Sequence, residues 1–128
     1  MSTLGIAHIN IRAPRALLEQ LYAFYREVVG LQDGPRPPFT RFGYWLYASG
    51  HDVLHLIEAS PEEQRLVDVS TTIDHIAFKC TDLPETTTRL QKRGIPYRVT
   101  AIPLSQQQQI VLRDPAGNTV ELNFTDAS

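Results

Sequence analysis

The chain has 128 residues and is 42% hydrophobic, enough for one compact domain or two tightly fused half-domains. A formal net charge of −2 and a pI near 6.0 leave no electrostatic footprint for nucleic acid or an anionic membrane. No apolar run reaches the length of a membrane span, Met1-Ser2-Thr3-Leu4 lacks the features of a secretory leader, and the lone Cys80 rules out an internal disulfide, so the expected location is the cytoplasm.

In chain order, residues 4–11 are apolar with short alternation and predict a strand. A helix is expected over residues 14–29: Pro14 suits its first turn, Leu17, Leu18, Leu21, Phe24, Tyr25 and Val28 recur at helical spacing, and Gly30 terminates it. Phe24 and Tyr25 read as packing residues. Residues 32–41, with Pro35, Pro37 and Pro38, form an irregular connection or a weak edge strand. Strands at 43–48 and 52–59 follow, joined by the hairpin signal Ser49-Gly50-His51, in which His51 is expected to face solvent.

Residues 61–71 are polar and without sustained period, a natural linker between modules 1–60 and 72–128 of one domain. The second module replays the first. A strand at 73–79 precedes a helix that Asp82 caps, with Glu85 three residues on, and that stops at Gly94. Strands at 97–102, 108–112 and 119–124 follow, the last two joined by the turn Asp114-Pro115-Ala116-Gly117-Asn118. The expected fold class is α+β: two βαβββ modules whose curved mixed sheets carry a helix on one face and leave the other open as a concave cavity.

The repeat is visible in the residues themselves. Asp74-His75-Ile76-Ala77-Phe78 echoes Ala7-His8-Ile9-Asn10-Ile11 at an offset of 75 − 8 = 67, and Val120-Glu121-Leu122 echoes Leu54-His55-Leu56 at 121 − 55 = 66. His8, His55, His75 and Glu121 therefore occupy two pairs of equivalent positions, and equivalent positions of a duplicated module can converge on one cavity. Strand parity supports the grouping. His8 shares a face with Asn10, His75 with Ala77, and Glu121 with Thr119 and Asn123, while bulky apolar neighbours point the other way. His55 fits less cleanly, since Val53 and Ile57 on its face are apolar. Taken singly, a histidine on a half-buried strand is more often a structural residue; the repeat and the shared parity single these out.

Imidazole nitrogens and a carboxylate oxygen suit zinc, iron(II), nickel or manganese, and two histidines with one carboxylate leave positions open for substrate or water. One divalent metal is the expected cofactor, held by His8, His75 and Glu121, with His55 either a fourth ligand or the catalytic base beside it. Glu58 lies three residues from His55 and parity turns it away. Asn10, Trp45 and Gln108 are the expected substrate-contacting residues, and Tyr44 and Tyr47 flank Trp45 in its strand. Cys80 reads as a small buried hydrophobe rather than a nucleophile.

The order of His8-Ile9-Asn10, Phe24-Tyr25 running to Val29-Gly30-Leu31, Trp45-Leu46, Leu54-His55-Leu56, Asp74-His75-Ile76-Ala77-Phe78 and Asp114-Pro115-Ala116-Gly117-Asn118 before Val120-Glu121-Leu122 resembles the vicinal oxygen chelate superfamily over nearly the whole chain. That superfamily includes glyoxalase I, fosfomycin-resistance thiol transferases, methylmalonyl-CoA epimerase, extradiol dioxygenases and bleomycin-resistance binding proteins. The resemblance implies paired βαβββ modules, metal ligands matching His8, His75 and Glu121, a fourth group matching His55, and chelation of two neighbouring substrate oxygens by a metal acting as a Lewis acid. It also implies a homodimer acting on a small molecule.

One departure bears on activity. Glyoxalase I carries a glutamate at the position matched by His55, where it both binds metal and takes part in proton transfer, so a histidine changes the charge of the site and removes that base. A fosfomycin-type transferase needs a cationic pocket, for which Arg12, Arg41, Lys79 and Arg98 are on hand, although only seven residues follow Glu121 to supply further phosphonate ligands. An extradiol dioxygenase suits the triad with iron(II), but many resemble two copies of this whole unit. A metal-free drug-binding protein typically lacks the ligand set. The expectation is a glyoxalase-like metalloenzyme, a lyase or isomerase acting on a small molecule with vicinal oxygens.

Overall fold

The computed structural model describes residues 1–125 and divides into two compact units, Met1–Arg65 and Leu66–Ser128. In the first unit β1 (Ile9–Ala13), α1 (Arg15–Phe24), β2 (Gln32–Asp33), β3 (Gly43–Ala48) and β4 (His51–Glu58) follow in order. The second repeats the order with β5 (Ile76–Cys80), α2 (Leu83–Lys92), β6 (Arg98–Ala101), β7 (Gln108–Arg113) and β8 (Thr119–Phe124). Each unit forms a four-stranded mixed sheet, ordered β1-β4-β3-β2 in one and β5-β8-β7-β6 in the other, in which the first and last strands pair in parallel and the rest antiparallel. This is the α+β, twice-repeated βαβββ order that the sequence pattern predicts. Among the described residues no helix is long and apolar enough to cross a membrane.

Alternation along the strands separates a core face from an open face. Leu54 and Leu56 of β4 are fully buried, as are Leu46 of β3 and Leu18 and Leu21 of α1, which packs on β4 and β1. In the second unit Ile110, Val120, Leu122 and Phe124 are buried, with Leu90 of α2. Odd-numbered His55 and Glu121 lie between these core positions and point the other way. Local signals set the turns. Ser49 and Gly50 both have positive φ (50° and 80°), the mirror-image turn whose twist suits a two-residue hairpin. The Asp82 side chain accepts from the Glu85 N–H at 3.1 Å and caps α2.

Three expected elements differ in detail. The first helix is α-helical only to Phe24 and then widens into a π turn over Tyr25–Val29. Gly30, at φ 94°, lets its own N–H and that of Leu31 both donate to the Tyr25 carbonyl. The first strand of each module starts later than expected, at Ile9 rather than residue 4 and at Ile76 rather than residue 73. In the first unit the parallel ladder runs from Ile9↔Leu54 upward and stops where β4 is irregular; in the second it starts at Ile76↔Val120, one residue inside β8. His8 and His75 thus each stand one residue before a strand.

The chain leaving β4 is tied back to β1. Glu63 accepts from Arg12 Nε and Nη2 at 3.0 and 2.6 Å, from the Ser60 N–H at 2.7 Å and from Arg65 Nη2 at 2.8 Å. These donors, Arg12 first, hold its carboxyl well below the ordinary value of 4.5. A depressed carboxylate stabilises the fold above its unfolded pKa, and that contribution drains away as pH falls below it. Glu63→Gln is therefore expected to lower the thermal midpoint by a few degrees at neutral pH and by progressively less below about pH 4.5. Parallel melting curves of the two proteins across that range test this, and a constant difference would contradict it.

Candidate functional site

Each unit brings its own pair of predicted ligands together. In the first, His55 sits in β4 opposite Trp45 of β3 and Asn10 of β1, so the three residues share the open face. The Trp45 ring stacks on the His55 imidazole at 4.1 Å and 8°, and the His8 ring stacks on it at 3.7 Å and 15°. Two rings this close and this nearly parallel cannot share one side, so the imidazole is capped on both faces. It is only 6% exposed, which leaves its in-plane nitrogens as its means of contact.

The His55 Nε2 nitrogen meets Asp52 Oδ2 at 2.7 Å. Strict alternation would turn Asp52, three residues earlier, to the other face. The ladder shows why it does not. Leu46 pairs with Leu54, but Ala48 pairs with His51, so the single residue Tyr47 of β3 faces two of β4 and the strand bulges at Asp52 and Val53. The extra residue reverses parity and sets the Asp52 carboxylate beside His55. The hydrogen bond from His55 is the main reason that carboxyl lies below its ordinary value. His8, Asp52 and His55 together offer three ligand atoms all within 4.8 Å of one another. Glu58, the other nearby carboxylate, is engaged by Arg15 Nε at 2.8 Å. His51 is exposed, as expected.

In the second unit Glu121 of β8 lies opposite Ala77 of β5, the position equivalent to that of His55 opposite Asn10 (77 − 10 = 67; 121 − 55 = 66). Its Oε2 meets His75 Nε2 at 3.1 Å, and its Oε1 accepts from Gln109 Nε2 at 3.0 Å. The other nitrogen of His75, Nδ1, bonds Asp74 Oδ2 at 2.8 Å. Asp74 first, and then the charge of Glu121, raise the pKa of His75 above its ordinary value. A carboxylate behind an imidazole is the usual way a ligand histidine is oriented, with the opposite nitrogen left for the metal. His75 and Asp74 also border a cavity of about 310 Å³ whose lining includes Arg113 and Asn118. A larger hollow of about 690 Å³ lies along α2 and contains none of the expected ligands.

The structure thus brings together His8 with His55, and His75 with Glu121, and places Trp45 and Asn10 beside His55. Gln108, an expected substrate contact, falls on the other face of the sheet from Glu121. It shares a face with Ile110 and Leu112, which are buried in the core, and lies opposite Phe124. The glutamine that reaches Glu121 is its neighbour Gln109. Asp52 and Asp74 went unpredicted: the bulge hides the first from any parity rule, and the second directly precedes His75. Tyr44, on the helix side, donates to Glu19 at 2.7 Å; burial and that bond push its pKa up to about 12. Cys80 is partly exposed, its thiol pKa raised chiefly by burial, and it donates weakly to the Phe78 carbonyl at 3.7 Å. A raised pKa keeps it a poor nucleophile. The nitrogen and carboxylate donors, close together within each unit, fit a divalent metal of the zinc, nickel, iron(II) or manganese type.

A twice-repeated βαβββ chain with a histidine before each first strand and a ligand-type residue in each last strand belongs to a recognised class. The family model described as Glyoxalase/Bleomycin resistance protein/Dioxygenase superfamily matches residues 5–122, and the chain belongs to that superfamily. Among solved structures it is similar to a glyoxalase family protein from Bacillus anthracis (24% identity, 98% of each chain covered, TM-score 0.72). It is also similar to lactoylglutathione lyase from Agrobacterium tumefaciens (22% identity, 97% of this chain and 96% of that one, TM-score 0.60). A third is a mutant of the fosfomycin resistance protein FosX from Listeria monocytogenes, in complex with Mn(II) and 1S,2S-dihydroxypropylphosphonic acid (18% identity, 99% of this chain and 94% of that one, TM-score 0.64). At these identities the likeness concerns the fold. No curated protein sequence matches.

Proposed function

We propose that this chain is a divalent-metal-dependent, glyoxalase-like enzyme, a lyase or isomerase acting on a small molecule with vicinal oxygens. In this reading His8, His75 and Glu121, with His55 as fourth ligand or as base, hold one metal. The observation that carries it is the pairing of equivalent positions: each unit sets a histidine that precedes its first strand against the ligand-type residue of its last strand, His8 on His55 and His75 on Glu121. Further support comes from the relatives, one a lactoylglutathione lyase and one a resistance protein solved with Mn(II).

When bound, the ion supplies Lewis acidity toward two neighbouring substrate oxygens. The rest falls to the chain. Gln109 and Asp74 fix Glu121 and His75 in the orientation a ligand needs. Trp45 and His8 keep water from the faces of His55, leaving proton exchange to its ring edge. Asn10, partnered with His55 across the β1–β4 ladder, can donate to a substrate oxygen. Homodimer assembly, which sedimentation measures directly, belongs to the same proposal.

Elemental analysis of the purified protein beside His8→Ala and Glu121→Ala tests the reading. Stoichiometric metal in the parent and its loss in both variants is the expected result. A parent protein that takes up no metal even when supplied would make this a metal-free binding module instead. Turnover of methylglyoxal with glutathione would then identify the lyase, whereas oxygen consumption with a catechol would reassign the reaction to a dioxygenase.

A further inference from the structure

The cluster in the first unit contains a donor that the four-residue reading leaves out. Asp52 reaches the open face only because β4 bulges, and a bulge surrenders regular ladder pairing at Asp52 and Val53. What it gains there is a carboxylate aimed at the edge of His55. Both faces of that imidazole are covered, by Trp45 at 4.1 Å and His8 at 3.7 Å, and an imidazole binds a cation in the plane of its ring. Its Nε2 lies 2.7 Å from Asp52 Oδ2. A cation that takes the lone pair of Nε2 therefore meets the Asp52 oxygen as well.

Spacing and charge agree with this. Donors held about 2.0–2.2 Å from a zinc ion sit roughly 3–3.5 Å from one another. The ligand atoms of His8, Asp52 and His55 all lie within 4.8 Å, so the set closes on an ion once the His8 ring, now stacked at 3.7 Å and 15°, turns out of the stack to aim its lone pair at the cation that His55 and Asp52 hold. Two neutral imidazoles and one carboxylate offset half the charge of a divalent ion, and such a nitrogen-rich set favours zinc, cobalt(II) or nickel over magnesium or calcium. Asp52 is also half exposed, at 40% of its side chain, so an ion can reach it from solvent.

From this geometry we infer that Asp52 is a direct metal ligand, and that His8, Asp52 and His55 form a three-donor cation site carried wholly by the first unit. The inference rests on the reading of His8 and His55 as metal ligands, but not on His75 or Glu121. The carboxylate of the site then enters through a bulge three residues before His55, a position that strand periodicity passes over.

The test uses the full chain, stripped of metal and titrated with Zn(II) and Co(II), with far-UV circular dichroism to verify the fold of each variant. Asp52→Asn keeps the size and a hydrogen-bonding group but loses the charge, and is expected to weaken Zn(II) binding at least tenfold. Asp52→Cys is the sharper probe. If residue 52 touches the metal, its Co(II) form gains a sulfur-to-cobalt charge-transfer band in the near ultraviolet that the parent, which retains Cys80, lacks. Absence of that band in a folded, Co(II)-loaded Asp52→Cys protein would overturn the inference, as would unchanged Zn(II) affinity in Asp52→Asn. The double variant His75→Ala/Glu121→Ala separates the two readings. If it keeps Zn(II) while Asp52→Asn loses it, the first-unit site stands and the four-residue site fails. If it loses Zn(II) while Asp52→Asn keeps it, the four-residue site stands and Asp52 is no ligand.

Discussion

Glu121→Gln is expected to weaken divalent-metal binding by about a hundredfold with little change in stability, since loss of a ligand should cost at least the 10–100-fold typical of an outer-shell partner. Glu121 lies mid-strand on β8, paired with Ala77 and Val111, and its side chain is 15% exposed. A glutamine there has the same length, and its amide oxygen can still accept from Gln109 Nε2, now 3.0 Å from Oε1. The backbone ladder is untouched. What disappears is the negative charge beside His75 Nε2, and an amide oxygen is a much poorer ligand for zinc or nickel than a carboxylate. Calorimetric titration with Zn(II), paired with thermal melts, reads the two effects separately. Parent-like affinity in the variant would remove Glu121 from the ligand set. Gln109→Ala should fall between the two proteins, losing about tenfold as an orienting partner does.

Much of this arrangement can be read from the sequence because the signals are local or repeated. Gly30, Gly50 and Asp82 mark their turns through chemistry confined to a few residues, and the structure uses each as expected. The echo of Ala7-His8-Ile9 in Asp74-His75-Ile76 carries the fold through duplication alone. Period-two reasoning then finds the faces of His55 and Glu121, because both strands are regular at those points. It breaks down where register shifts. No glycine or proline announces the bulge at Asp52 and Val53, so the carboxylate nearest His55 stays hidden. Gln108 and Gln109 occupy a run of four glutamines, where composition cannot say which one faces the sheet interior. The answer comes from Ile110 and Leu112, whose burial commits the even-numbered positions to the core and leaves Gln109 beside Glu121. The late start of β1 and β5 likewise depends on where the partner strands β4 and β8 can pair, which no local pattern encodes.

Phe124→Ala is expected to remove about 3–5 kcal/mol of folding stability, as truncation of a fully buried phenylalanine usually does. Phe124 is 1% exposed and closes a row on β8 with Val120 and Leu122, at 0% and 1%. Its backbone is paired on both sides, with Cys80 of β5 and Gln108 of β7, so the strand cannot shift inward to fill the space left behind. Neighbours held in a sheet relax poorly, and the cost therefore falls toward the upper part of that range. Against a total of about 5–15 kcal/mol for a domain, such a loss brings the protein near its unfolding threshold. Urea denaturation should show a much lower midpoint with the same slope, since the surface exposed on unfolding barely changes. Phe39→Ala is the natural control: Phe39 is 55% exposed, and its loss should cost no more than about 0.5 kcal/mol. A Phe124→Ala protein as stable as that control would mean that the even-numbered face of β8 is not the core, and Glu121, on its reverse, would lose its assignment to the open face with it.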